Sequence, residues 1–257
     1  MRPNAGSAPA VATIAPVVLA DAAAVAERVA ALLLADRLRP DRPLGLATGR
    51  TMEPVYAALA RRLKRLEPAL ATTVRAGWSS FNLDEYVGLG PQDPASFAAT
   101  MAHQLVEPLG LDPEQVRLPD GRADDPDAEA MRYGAAVAAA GGIGLQLLGL
   151  GLNGHVGFNE PPAGATVACR CLALSAPTRR QNAGAFGGDP GAVPRRAITL
   201  GMAEILAARR VLLVVTGSAK AAILRRALRV PPTPELPASW LQHHPALTVI
   251  ADAEAMG

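Results

Sequence analysis

Short apolar runs alternate along this chain with stretches whose apolar residues recur every three or four positions, and polar, glycine-containing turns join them. The runs read as buried strands and the periodic stretches as amphipathic helices. LGLATGRTMEPVYAALARRL, from Leu44 to Leu63, reads as a strand, the turn TGRT and a helix. RAGWSSFNLDEYVGL, from Arg75 to Leu89, reads as a strand ending on Asp84 and Glu85. GLQLLGLG, from Gly144 to Gly151, is a strand that stops where polar residues begin, and RVLLVVTGSAKAAILRRAL, from Arg210 to Leu228, is a strand, the turn GSAK and a helix. Four strand ends carrying charged or hydroxyl side chains point to one crevice at the carboxyl edge of an α/β sheet.

The remaining pattern completes one domain. DAAAVAERVAALLLADRL (Asp21 to Leu38) alternates faces at helical period and reads as a surface helix. The segments from Asp93 to Leu109 and from Asp125 to Gly142 read as helices with Asp near the start and Pro or Gly at the stop. RAITLGMAEILAARR gives a short strand and a helix, and PASWLQHHPALTVIAD a helical turn and a final strand. Residues 1–12 lack periodicity and are expected to be a disordered tail. Residues 13–257 are expected to form a single-domain, Rossmann-like three-layer α/β sandwich with a mostly parallel central sheet. The stretch from Ala163 to Ala192, rich in Gly, Pro, Arg and Thr, is expected to be a mobile flap over the site.

Charge and composition narrow the partners. Twenty-five basic and 23 acidic residues leave a formal net charge of +2 with no single-sign run, so a nucleic-acid stripe and a membrane-binding face are not expected. A small solute is the expected partner. The uncharged region between Tyr133 and Glu160 is broken by glycines and by Gln146 and Asn153, so it does not read as a membrane span. Cys169 and Cys171 are the only cysteines, too close on an extended segment for an ordinary disulfide, which fits a reducing cytoplasm. Metal-ligand spacing is absent: CRC has no second cysteine pair, and His243 and His244 are adjacent.

The turns carry the candidate chemistry. GLNGHVGFNEP, from Gly151 to Pro161, sets His155 and Glu160 five residues apart in a glycine-rich turn, a pairing suited to proton transfer. TGRT (Thr48, Gly49, Arg50, Thr51) and GSAK (Gly217 to Lys220) each precede a helix whose free N–H groups and dipole attract an anion, with Arg50 and Lys220 adding charge. Neither is a nucleoside-triphosphate loop. Asp84 and Glu85 are neighbours in an extended stretch, so only one of them should face a substrate. Carboxylate, histidine and phosphate anchor together suggest isomerisation or elimination next to a carbonyl of a sugar phosphate. No nucleophile elbow is present.

FNLDEYVGL, GLGLNGHVGFNEP, GSAKA and the closing PASWLQHHPALTVIAD together resemble the glucosamine-6-phosphate deaminase family, whose relatives include the 6-phosphogluconolactonases. The resemblance spans Pro43 to Glu254 and implies conversion of glucosamine 6-phosphate and water to fructose 6-phosphate and ammonia. It implies that Asp84 moves the proton between C2 and C1, that His155 opens the ring, that Glu160 supports His155, and that Asn153 is a further ring-opening residue. Lys220 and the Thr48 to Thr51 turn match the phosphate site, with Glu85, Gly149 and Gly151 also expected against the substrate. No metal or organic cofactor is implied, and the chain is expected as a monomer or homo-oligomer.

Departures from the family pattern keep neighbouring readings open. Asn153 stands where several members carry Asp, which predicts that Asn153→Asp moves the acid limb of the pH–rate profile upward. Gly184 stands where a phosphate-binding arginine is usual, and Arg50 where a small residue is usual, so Arg50 is expected to replace that guanidinium, with Arg179 and Arg180 as weaker candidates. Ala163, Gly164 and Leu172 replace the activator-binding residues of allosteric members, so no such activation is expected. The alternatives are a deaminase or isomerase for another hexose phosphate, such as galactosamine 6-phosphate, and a non-catalytic sugar-phosphate sensor. A sensor of the transcriptional kind should carry a DNA-binding module, and the stretch ahead of Leu44 is too short and insufficiently basic for one.

Overall fold

The computed structural model describes residues 14–257, so the tail expected over residues 1–12 lies outside the described residues. The strands are β1 (Val17–Leu19), β2 (Leu44–Leu46), β3 (Ser80–Asn82), β4 (Asp84–Tyr86), β5 (Val116–Arg117), β6 (Leu145–Leu148), β7 (Arg170–Ala173), β8 (Arg196–Thr199), β9 (Arg210–Val215) and β10 (Leu247–Asp252). The helices are α1 (Ala22–Arg37), α2 (Glu53–Lys64), α3 (Pro68–Ala76), α4 (Phe97–Met101), α5 (Glu107–Leu109), α6 (Pro126–Ala139), α7 (Ala176–Asn182), α8 (Met202–Leu206), α9 (Ala221–Arg229) and α10 (Ala253–Met256).

Seven strands form one parallel sheet in the order β1-β10-β9-β6-β2-β3-β5. In β2, β3 and β6 every residue is buried, whichever face it points to, so the sheet is covered on both sides, as a parallel sheet requires. Its apolar runs are therefore continuous and not alternating. After β2 the chain builds outward through β3 to β5, then returns to place β6 on the other side of β2. That reversal falls between the carboxyl ends of β2 and β6, the position where open α/β sheets bind ligands.

Asp84 and Glu85 do not end the Ser80 strand, as the sequence suggested; they open a second one. Leu83 separates the two strands: its N–H donates to Leu46 of β2 and its carbonyl accepts from Leu200 beyond β8. The chain thus passes directly from the parallel sheet into a three-stranded antiparallel sheet, β4-β8-β7. A residue hydrogen-bonded to both sheets immediately precedes Asp84.

The segment from Ala163 to Ala192 is more ordered than a loop over the site. It contains β7, α7 and a 3-10 turn, and it closes a small core of its own around Tyr86, Phe158, Leu174 and Val193. Tyr86 packs against the rings of Phe97, Phe158 and Phe186, and its hydroxyl accepts from Asn182 Nδ2 at 2.9 Å. The helix expected from Asp93 begins at Phe97, where the Ser96 hydroxyl accepts from Ala99 N–H, and it widens into a π turn over Ala102–Val106.

Candidate active site

Four neighbouring strands of the parallel sheet, β9, β6, β2 and β3, bring their carboxyl ends side by side, and each of the turns singled out by the sequence leaves one of them. The Thr48 to Thr51 turn follows β2, and its base is tied down by the Tyr56 hydroxyl of α2, which donates to the Ala47 carbonyl at 2.5 Å. GSAK follows β9, where Gly217 N–H donates to both oxygens of Asp252 at the end of β10. The hydroxyls of Thr51 and Thr216 meet at 3.5 Å and join these two turns. Ser218 does not cap the helix it precedes; a 3-10 turn over Ser218–Lys220 leads into α9 instead.

Arg50 is exposed and Lys220 half-buried. Burial, and then the charge of Arg50, hold the Lys220 ammonium below its ordinary pKa of 10.5. Among the described residues neither cation has a carboxylate partner. Two neighbouring cations at the carboxyl edge of the sheet repel each other until an anion neutralises them, which is the electrostatic condition for binding a phosphate. Gly184 is exposed and faces open space, in the 3-10 turn after α7.

The turn after β6 folds His155 back over its own chain. Gly151 N–H donates to the His155 carbonyl at 2.9 Å, and a β-carbon on Gly151 would lie 2.3 Å from the imidazole, so only glycine admits this conformation. Gly151, expected against the substrate, thus positions the histidine. Asn153 Oδ1 accepts from the His155 backbone N–H at 3.2 Å and lies 2.6 Å from Nδ1. An oxygen that accepts both contacts assigns the proton to Nδ1 and leaves the Nε2 lone pair available as a base. Burial first, and the nearby Lys220 charge second, lower the His155 pKa from 6.5 to about 4, so the imidazole is neutral at physiological pH. Gly149 sits at the end of the strand, in ordinary contact distance of Met52.

Asp84 is 6% exposed, and no side chain among the described residues hydrogen-bonds its carboxylate. Burial, and then the adjacent Glu85, raise its pKa from 3.8 to about 8. A carboxylate kept out of water and left unpaired is a strong base when ionised. Its neighbour points elsewhere: the Glu85 carboxylate accepts from the backbone N–H groups of Tyr86, Phe97 and Ala98 at 2.8, 3.0 and 2.7 Å. Glu85 was expected against the substrate; instead it holds the N-terminus of α4, because alternation along a strand sends its side chain to the opposite face.

Glu160 is a second correction. Its carboxylate accepts from Ser175 N–H at 3.0 Å, from Ser175 Oγ at 2.9 Å and from the Thr178 hydroxyl, and makes no hydrogen bond to His155. The free N–H and two hydroxyls at the start of α7 outcompete a neutral imidazole for a carboxylate. Asn153, not Glu160, is therefore the partner of His155 in this structure. Sequence reasoning also missed Thr199, whose hydroxyl lies against the His155 to Glu160 turn. It stands at the end of the RAIT strand, ahead of Leu200 and Gly201, and that strand-end position was the available signal.

Residues 18–250 match the sequence family described as glucosamine-6-phosphate isomerases/6-phosphogluconolactonase. The chain is 43% identical over 241 residues to a glucosamine-6-phosphate deaminase of Rhodopirellula baltica, covering 93% of each chain. It is 41% identical to a glucosamine-6-phosphate deaminase of Streptomyces coelicolor, covering 90% of this chain and 85% of that one. Among solved structures, a monomeric glucosamine-6-phosphate deaminase superposes with a TM-score of 0.87 at 33% identity, over 94% of this chain and 98% of the other. A 6-phosphogluconolactonase from Leishmania guyanensis, at 19% identity and a TM-score of 0.71, shares the fold.

Proposed function

The chain belongs to the family of glucosamine-6-phosphate isomerases and 6-phosphogluconolactonases, and on that premise we propose that it converts glucosamine 6-phosphate and water to fructose 6-phosphate and ammonia. The observation that carries this reading is an unpaired, buried carboxylate, Asp84, packed against the turn that carries a neutral histidine, together with a pair of cations that have no carboxylate partner among the described residues.

The phosphate dianion sits between Arg50 and Lys220, within the Thr48 to Thr51 turn, and anchors the sugar. A charge-assisted hydrogen bond from Arg50 contributes about 1.5–3 kcal/mol. His155, with its proton on Nδ1 held by Asn153, takes the proton of the O1 hydroxyl at Nε2 and passes it to the ring oxygen O5 as the C1–O5 bond breaks, which opens the ring to the aldehyde. Asp84, as carboxylate, removes the proton from C2 and returns it to C1, while a proton passes from the C2 amine to O1, leaving a hydroxyl on C1 and an imine at C2. Water then adds at C2 and ammonia leaves, so that one water is consumed for each ammonia released. The reading needs no metal or organic cofactor. For Glu160 to assist His155, the start of α7 must first release it, which makes the α7 segment the moving part of a lid. All the groups named come from one chain, so a monomer suffices. A charged sugar-phosphate substrate and two free thiols support a cytoplasmic setting. Among the described residues no helix is long and apolar enough to cross a membrane.

The test is ammonia release from a panel of phosphorylated and unphosphorylated aminosugars, with Asp84→Asn as control. Release from glucosamine 6-phosphate, lost in the variant, is the expected result. Release only from a galactosamine phosphate would reassign the substrate. Binding of the phosphate esters without turnover would overturn the enzyme reading in favour of a sensor.

A further inference from the structure

The three strands of the small sheet align Asp84, Thr199 and Arg170 in one row: Asp84 pairs with Thr199, and Thr199 with Arg170. Directly opposed residues of antiparallel strands project from the same face, so the carboxylate, hydroxyl and guanidinium share one surface. The turn from His155 to Glu160 lies on it. Phe158 N–H donates to Thr199 Oγ1 at 3.3 Å, and the Thr199 hydroxyl donates to the Leu200 carbonyl at 3.2 Å. Arg170 Nη1 donates to Asn159 Oδ1 at 2.8 Å, while Asn159 Nδ2 donates to the carbonyls of Val156 and Leu200 at 3.0 and 2.9 Å.

The contact is close and fully committed. Asn159 is wholly buried, with its oxygen and both of its N–H groups in use. Between the two anchors, a β-carbon on Gly157 would lie 3.1 Å from Thr199 Oγ1 and 3.5 Å from Asp84 Oδ2. The backbone of the turn therefore sits directly against the row that carries Asp84. Arg170 is half-buried, has no carboxylate partner among the described residues, and directs its guanidinium to a neutral amide. Desolvating an arginine costs free energy that a hydrogen bond to a neutral amide offsets only in part, so the contact is better accounted for by the geometry it fixes than by the stability it adds.

We propose that Thr199 and Arg170 are positioning residues that dock the His155 to Glu160 turn against the Asp84 strand and so set the separation between base and imidazole. The proposal rests on the reading of Asp84 and His155 as the reacting groups. It assigns no substrate contact to either residue. Loss of either anchor lets the turn shift relative to Asp84, which lowers the rate of proton transfer while the phosphate site, built on β2 and β9, keeps its affinity.

Steady-state ammonia release from glucosamine 6-phosphate is measured for Thr199→Val, Thr199→Ser, Arg170→Met and Arg170→Lys, with a thermal melt of each. Thr199→Val and Arg170→Met should lower kcat about ten- to a hundredfold with KM within about twofold. Thr199→Ser, which keeps the hydroxyl, and Arg170→Lys, which keeps a donor, should recover most of it. Unchanged kcat in the Val and Met variants, a loss that the Ser and Lys variants do not relieve, or a rise in KM matching the fall in kcat/KM would each overturn the proposal. If Thr199→Val does not fold, the Arg170 pair decides, since that side chain is half-buried. A wild-type enzyme that releases no ammonia would instead defeat the functional reading, and with it the premise of this one.

Discussion

Asp84 is held in a form that costs stability and that, in the proposed reaction, supplies the base. Its pKa in the folded chain, about 8, lies above the ordinary 3.8, so the native state binds that proton more tightly than the unfolded state does. The group favours folding most below about pH 4 and does so progressively less as the pH rises through about 8. Asp84→Asn should therefore raise Tm, by more at about pH 9 than at about pH 4, while lowering kcat by about 10²–10⁴-fold as expected for loss of a general base. Equal Tm shifts at both values would contradict the buried charge. In the wild type, kcat/KM should fall as the pH drops through about 8, because the base must be ionised. That limb belongs to Asp84, since His155 protonates only near 4. The shift expected for Asn153→Asp is thus read on the imidazole by NMR and not on the rate profile. A carboxylate at 2.6 Å in place of the amide should raise the His155 pKa, and an unmoved titration would remove the Asn153 contact from the account. Arg50→Ala should raise KM about ten- to a hundredfold with little change in kcat, checked by initial rates.

Turns following β2, β6 and β9 were legible because each apolar run stops abruptly at glycine and polar residues, a local signal. The break at Leu83 was not, because β4 exists only through pairing with β8, more than a hundred residues later. The same non-local pairing explains the flap: β7 is half-exposed and short, so its run carries no clear period, and its order comes from β8 and the aromatic cluster. Glu85 and Glu160 mark the limit of reading side chains from a motif. Each looked like site chemistry in sequence, and each is engaged by a helix N-terminus that three-dimensional packing delivers. Glu85→Ala leaves backbone N–H groups at the start of α4 without an acceptor, which should cost about 1–3 kcal/mol in urea unfolding. A change within error would mean that α4 finds another cap. Ser175→Ala should loosen α7 from Glu160, seen as faster amide exchange over residues 175–182 with the parallel sheet unaffected.

At the scale of the molecule, the site follows from strand order: β2 and β6 are neighbours across the reversal of the chain, with β9 and β3 on either side. Chemistry scattered from Thr48 to Lys220 in sequence is thereby collected at one edge, and the small sheet adds Asp84 from a strand that begins where β3 leaves off. The α/β class and the four polar strand ends could be read from periodicity, but the order of the strands could not, since parallel neighbours are set by crossover packing and not by adjacent residues. The proposed reaction requires one pocket that holds base, imidazole and cations together. Its most direct test is a crystal structure with an open-chain, reduced aminosugar phosphate bound. The phosphate should lie between Arg50 and Lys220, with C1 and C2 within about 3–3.5 Å of the Asp84 carboxylate and the His155 ring beside the anomeric end. A phosphate bound elsewhere, or a sugar chain out of reach of Asp84, would contradict it.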